Sequence, residues 1–82
     1  MWLEKIRYTG LWPCVGDVPA SVLGRAGDPK VQREIALELA EVLRETPPDM
    51  PEYTWFILLA GVLRQCGLLR KSFTAGGKKG AR

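Results

Sequence analysis

From residue 29 to residue 45 the chain sets apolar against charged positions at helical spacing. At about 100° per residue, Val31, Ile35, Ala36, Leu39, Ala40, Val42 and Leu43 fill one half of a helical wheel. Arg33, Glu34, Leu37, Glu38, Glu41, Arg44 and Glu45 fill the other half, and Gln32 is the one polar residue on the apolar side. Asp28 is placed to accept hydrogen bonds from the free amides of a first turn, and Pro29 has no amide to lose there. Pro47 and Pro48 cannot continue the ladder. The pattern predicts an amphipathic helix over 29–45.

Asp49 and Pro51 repeat the same start and predict a second helix over 51–67. Its wheel is lopsided. Trp55, Phe56, Leu58, Leu59, Ala60, Val62, Leu63, Cys66 and Leu69 cover an arc of about 200°, whereas a helix facing a small core needs little more than about 100°. Arg64, Thr54 and Gln65 form a narrow polar strip. The excess predicts an uncovered strip that includes Trp55, Phe56, Leu59 and Leu63, and hence a homodimer or a hetero-complex with this helix in the interface.

The flanks are less regular. Residues 2–9 fit either a short strand or a first helical turn. Gly10, Pro13 and Gly16 then predict a loop around Trp12 and Cys14. Asp17-Val18-Pro19 starts a short helix over 19–26, which Gly24 and Gly27 limit to about two turns. After Gly67, residues 68–74 predict a short strand, with Ala75-Gly76-Gly77 as the turn of a C-terminal hairpin. The expected fold is mainly α: one small helical domain over 1–74, two long antiparallel helices, and a basic glycine-rich tail over 75–82. Trp2, Trp12 and Trp55 are expected to fill its core, because a chain of 82 residues needs large side chains to close one.

Composition narrows the chemistry. The chain has no histidine, so the most common general base and metal ligand is missing. Two cysteines cannot complete a four-ligand zinc site, and Cys14 and Cys66 are expected as reduced thiols. Ser21 and Ser72 have no histidine to activate them, and no glycine cluster has the spacing of a phosphate-cradling loop. A non-enzymatic protein without a cofactor or metal is expected. The N-terminus lacks the basic start and apolar stretch of a signal peptide. The longest apolar run, Trp55 to Leu63, is well short of the roughly 20 residues that span a bilayer. A soluble, cytoplasmic protein without membrane contact follows as the expectation.

The net charge of +3 hides a strong division. Residues 1–27 carry Lys5, Arg7 and Arg25 against Glu4 and Asp17. Residues 28–52 carry seven acids against Lys30, Arg33 and Arg44. Residues 53–82 carry Arg64, Arg70, Lys71, Lys78, Lys79 and Arg82 and no acid. Within the acidic segment, Glu34, Glu38, Glu41 and Glu45 fall within about 60° of one another and form a ridge along the first long helix. A solvated helix face accounts for such a ridge, as does a meeting with a basic surface. The basic end fits a solubilising tail, a phosphate-binding surface or a dock for an acidic protein.

The stretch Leu63-Arg64-Gln65-Cys66-Gly67-Leu68-Leu69-Arg70-Lys71-Ser72-Phe73-Thr74 resembles the end of the recognition helix and the first wing strand of winged helix-turn-helix domains. Ile35 to Ala40 loosely resembles the preceding helix, so the likeness runs over residues 31–79. It implies a wing with its tip near Ala75-Gly76-Gly77, and either nucleic acid bound by that wing or a protein as the partner. Two functions follow as expectations. The first is a binding module engaging nucleic acid through Arg64, Arg70, Lys71, Lys78, Lys79 and Arg82. The second is a protein-interaction adaptor or inhibitor using Trp55, Phe56, Leu59 and Leu63 together with the ridge of Glu34, Glu38, Glu41 and Glu45.

Overall fold

A computed structural model describes residues 2–6, 10–71 and 73. A 3-10 turn at Trp2–Lys5 opens the chain and a second spans Val15–Asp17. Three α-helices follow: α1 at Ala20–Leu23, α2 at Pro29–Glu45 and α3 at Pro51–Gln65. The fold is mainly α, and no strand occurs among the described residues.

α2 starts as its sequence dictates. The Asp28 carboxylate accepts the Lys30 amide at 3.0 Å, and Pro29 occupies the first helical position. At the far end the Thr46 hydroxyl donates to the Val42 carbonyl at 2.7 Å, an acceptor left open because the Thr46 amide donates to Leu43 instead. Asp49 does not cap α3; the N-cap position is Met50, with Pro51 next. α3 ends in a Schellman motif. The Leu68 amide donates to Leu63 and the Gly67 amide to Arg64, with Gly67 at φ +80°. Leu63 and Leu68, the pair such a motif brings together, are both fully buried.

Gly67 also ties the ends of the molecule. Its carbonyl accepts the Gly27 amide at 2.9 Å and the Gln32 side-chain amide at 2.9 Å. Gln32, the lone polar residue on the apolar half of α2, is there to make that bond. The start of α2 therefore meets the end of α3 while residues 46–50 join the opposite ends, so the two long helices run antiparallel.

The core takes Val31, Ile35, Leu39 and Leu43 from α2, spaced one turn apart. Trp55, Phe56, Leu59, Ala60 and Leu63 come from α3, Leu3 and Val18 from the N-terminal segment, and Leu68 and Leu69 from the segment after α3. Among the described residues no polar or charged one is buried. The Trp55 and Phe56 rings meet edge to face, with centroids 5.4 Å apart.

Four expectations are corrected. The strand over 68–74 does not form in its described part: Leu68 and Leu69 both enter the core, which breaks strand alternation, and the Phe73 amide closes a turn on the Arg70 carbonyl. The remainder of the expected hairpin, Thr74 onward, lies outside the described residues. The helix expected over 19–26 is one turn long, because Arg25 and Ala26 donate three residues back and Gly27 adopts φ +88°. The strip of Trp55, Phe56, Leu59 and Leu63 is not exposed. α2, the N-terminal segment and Leu68-Leu69 pack around it, and Trp2, Ile6 and Phe73 add partial cover. Trp12, expected in the core, is 78% exposed.

Candidate functional site

The basic residues named from the sequence divide at residue 73. Lys78, Lys79 and Arg82 lie outside the described residues. Arg64, Arg70 and Lys71 gather at the C-terminal end of α3. Arg64 sits in its last turn, and its guanidinium donates to the Phe73 carbonyl at 3.3 Å. That bond holds the turn of residues 70–73 against the helix. Arg70 and Lys71, at the start of the turn, are exposed.

The turn places Arg70 opposite a residue that the reading of charge runs missed. Arg33 of α2 and Arg70 line one cleft of about 180 Å³, with Gln32, Ala36 and Phe73 completing its walls. No carboxylate lines it among the described residues. Arg33 belongs to the acidic stretch of sequence, yet on the wheel it falls on the Ala36–Ala40 edge of α2, about 80–140° from the glutamates. That edge was the available signal, since it faces the end of α3 in an antiparallel pair.

The opposite edge of α2 is the acidic ridge. Glu34, Glu41 and Glu45 are exposed and Glu38 is half-buried. Glu41 pairs with Arg44 at 3.0 Å, an exposed i,i+3 contact that contributes little. α2 thus presents arginine on one flank and glutamate on the other. The ridge and the apolar strip of α3 do not form one joint surface, because the strip faces the core.

A second concavity lies at the N-terminal end of α3. Leu11, Trp12 and Pro13 form one wall and Pro51, Trp55 and Leu58 the other, around an open groove of about 380 Å³. The Trp55 indole N–H donates to the Leu11 carbonyl at 2.7 Å, so a core tryptophan anchors the loop beside it. Leu11 is 72% exposed and Val15 50%.

Cys14 and Cys66 are free thiols. Among the described residues no group of three or more cysteines and carboxylates is placed to hold a metal ion. Among the described residues no helix is long and apolar enough to cross a membrane. Comparison with family models, with curated proteins and with solved structures finds no match in any of the three.

Proposed function

We propose that the chain is a non-enzymatic binding module that engages the phosphate backbone of nucleic acid through the basic surface at the C-terminal end of α3. The observation that supports this reading best is the convergence of Arg33 and Arg70 on one cleft without a carboxylate. A guanidinium fork matches two phosphate oxygens, and two forks from separate elements define a fixed spacing for a backbone. Lys71 extends the same surface, and Lys78, Lys79 and Arg82 follow it in sequence. Phe73, in the cleft wall, supplies an aromatic face on which a base can stack. The glutamate flank of α2 repels phosphate and so confines the strand to one side. Phosphate contacts fix position without reading sequence, so little base specificity is expected.

Salt tests this directly. Each phosphate contact contributes a slope of about −0.9 in log K against log salt, so four contacts predict a loss of roughly a hundredfold between 50 and 200 mM. Fluorescence polarisation with labelled single-stranded and duplex oligonucleotides measures it. A loss of no more than about twofold overturns the proposal. Arg33→Glu and Arg70→Glu are each expected to weaken binding by about tenfold or more, while Glu41→Lys leaves it equal or stronger.

A further inference from the structure

The cleft that Arg33 and Arg70 share is lined by more than charge. Holding a row of phosphates requires cations alone, yet Gln32, Ala36 and Phe73 complete these walls. At about 180 Å³ the cleft is smaller than the roughly 300–1,000 Å³ that houses a drug-sized ligand. A cavity of about 150 Å³ takes one benzene ring, so this space suits a single planar ring. Ala36 is too short to fill it.

Phe73 is fixed before any ligand arrives. Its amide donates to the Arg70 carbonyl at 3.1 Å, and its carbonyl accepts the Arg64 guanidinium at 3.3 Å. The half-buried side chain packs against the core and also lines the cleft. Gln32 is fixed as well, its Nε2 donating to the Gly67 carbonyl at 2.9 Å. A ring and an amide held in this way lose little side-chain entropy when something settles against them.

The helix surfaces argue against a duplex. Double-stranded DNA is read by an element that protrudes into a groove, about 12 Å wide on the major side. Neither long helix offers one. α3 exposes only Pro51, Thr54 and Gln65, and the exposed face of α2 carries Glu34, Glu41 and Glu45. A duplex also keeps the faces of its bases stacked on one another, out of reach of Phe73. Given phosphate binding at this surface, on which the assignment rests, we infer that the cleft receives one unstacked base of a single strand. The base lies on Phe73 with its polar edge toward the Gln32 amide, and the flanking phosphates meet Arg33 and Arg70. Every base has a π-face and a polar edge, so the site takes single strands of any sequence.

The test uses the full chain and fluorescence polarisation at about 50 mM salt, with three probes of about 12 nucleotides. They are oligodeoxythymidine, its duplex with oligodeoxyadenosine, and a thymidine strand made abasic at its centre, which keeps every phosphate. A surface that responds to charge alone favours the duplex, whose charge density is about twice that of one strand. The single strand is instead expected to bind about tenfold more tightly than the duplex and about fivefold more tightly than the abasic strand. Phe73→Leu keeps an apolar side chain against the core and removes the ring. It is expected to weaken single-strand binding about fivefold and to leave the other two probes unchanged, whereas Phe73→Trp retains parent affinity. The comparison of probes on the parent chain holds whether or not the variants fold. Three results would each overturn the inference: duplex affinity equal to or above that of the single strand; an abasic strand bound as tightly as the intact one; or undiminished single-strand binding by folded Phe73→Leu. Equal, salt-dependent binding of all three probes sinks the base site and leaves the phosphate surface standing, while absent or salt-insensitive binding sinks both.

Discussion

At the C-terminal end of α3, Gly67 turns the chain back, Arg64 pins the returning segment, and Arg70 is brought to face Arg33. At the N-terminal end, Trp55 pins the loop of residues 10–17, and Trp12 is brought to face α3 across an open groove. In both places a helix side chain donates to a carbonyl of an irregular segment, and that segment makes one wall of a concavity. The outcomes differ because the irregular segments differ in composition. Residues 70–73 carry two cations, and residues 10–17 carry three exposed apolar side chains and an aspartate. A domain of this size can hold two unlike surfaces because one buried helix presents a different partner at each end.

The largest effects should strike both ends together, since the core between them is shared. Trp55→Ala removes a buried ring that also carries the bond to Leu11, and it is expected to cost about 3–5 kcal/mol. Leu39→Ala and Leu59→Ala, both at fully buried positions, are expected to cost about 2–5 kcal/mol each. Urea unfolding followed by circular dichroism measures these losses, and oligonucleotide binding should fall in parallel. Parent-like midpoints in all three would mean that the helices do not pack as described.

Next in size is a change that separates the ends. Gly67 adopts φ +80°, and a Cβ there would meet Ala26 at an ordinary 3.6 Å, so Gly67→Ala is strained by backbone conformation and not by crowding. It is expected to cost about 1–2 kcal/mol and to weaken oligonucleotide binding. Gln32→Ala acts at the same junction. The Gly67 carbonyl keeps its bond from the Gly27 amide, so a loss of only about 0.5–1.5 kcal/mol is expected by the same unfolding measurement.

How far each end could be read from sequence follows from what encodes it. α2 is carried by local signals, an aspartate cap, a proline at the first position and apolar residues one turn apart, and its bounds match the expected 29–45. The gathering of Arg64, Arg70 and Lys71 was legible as a run of charge without acids. Arg33 was not, because it lies in a segment with seven acids and three bases and its partner Arg70 arrives only through the Schellman turn. The burial of Leu68 and Leu69 resisted reading for a similar reason: two adjacent leucines suit a strand or a plunge into the core equally well. Trp12 was assigned by a rule about size, that large residues fill small cores, and Trp55 with Phe56 takes that role at the N-terminal end of α3.

The smallest effect on stability should come from Trp12→Ala, and it sharpens the contrast with Trp55 most. Both side chains are indoles lining the same groove, one 78% exposed and the other 4%. Truncation of the exposed ring leaves no internal cavity and removes no hydrogen bond from the frame, whose contacts run through the Leu11 carbonyl and the Asp17 carboxylate. Surface substitutions of this kind usually lie within about 0.5 kcal/mol. For a domain of this length that corresponds to a melting temperature within roughly 2–4 °C of the parent. Thermal unfolding monitored by far-ultraviolet circular dichroism is sufficient to measure it. A loss of about 2 kcal/mol or more would place Trp12 in the core and close the groove. A small loss with oligonucleotide binding unchanged would leave Trp12 outside both the core and the phosphate surface, unlike the buried tryptophan it faces.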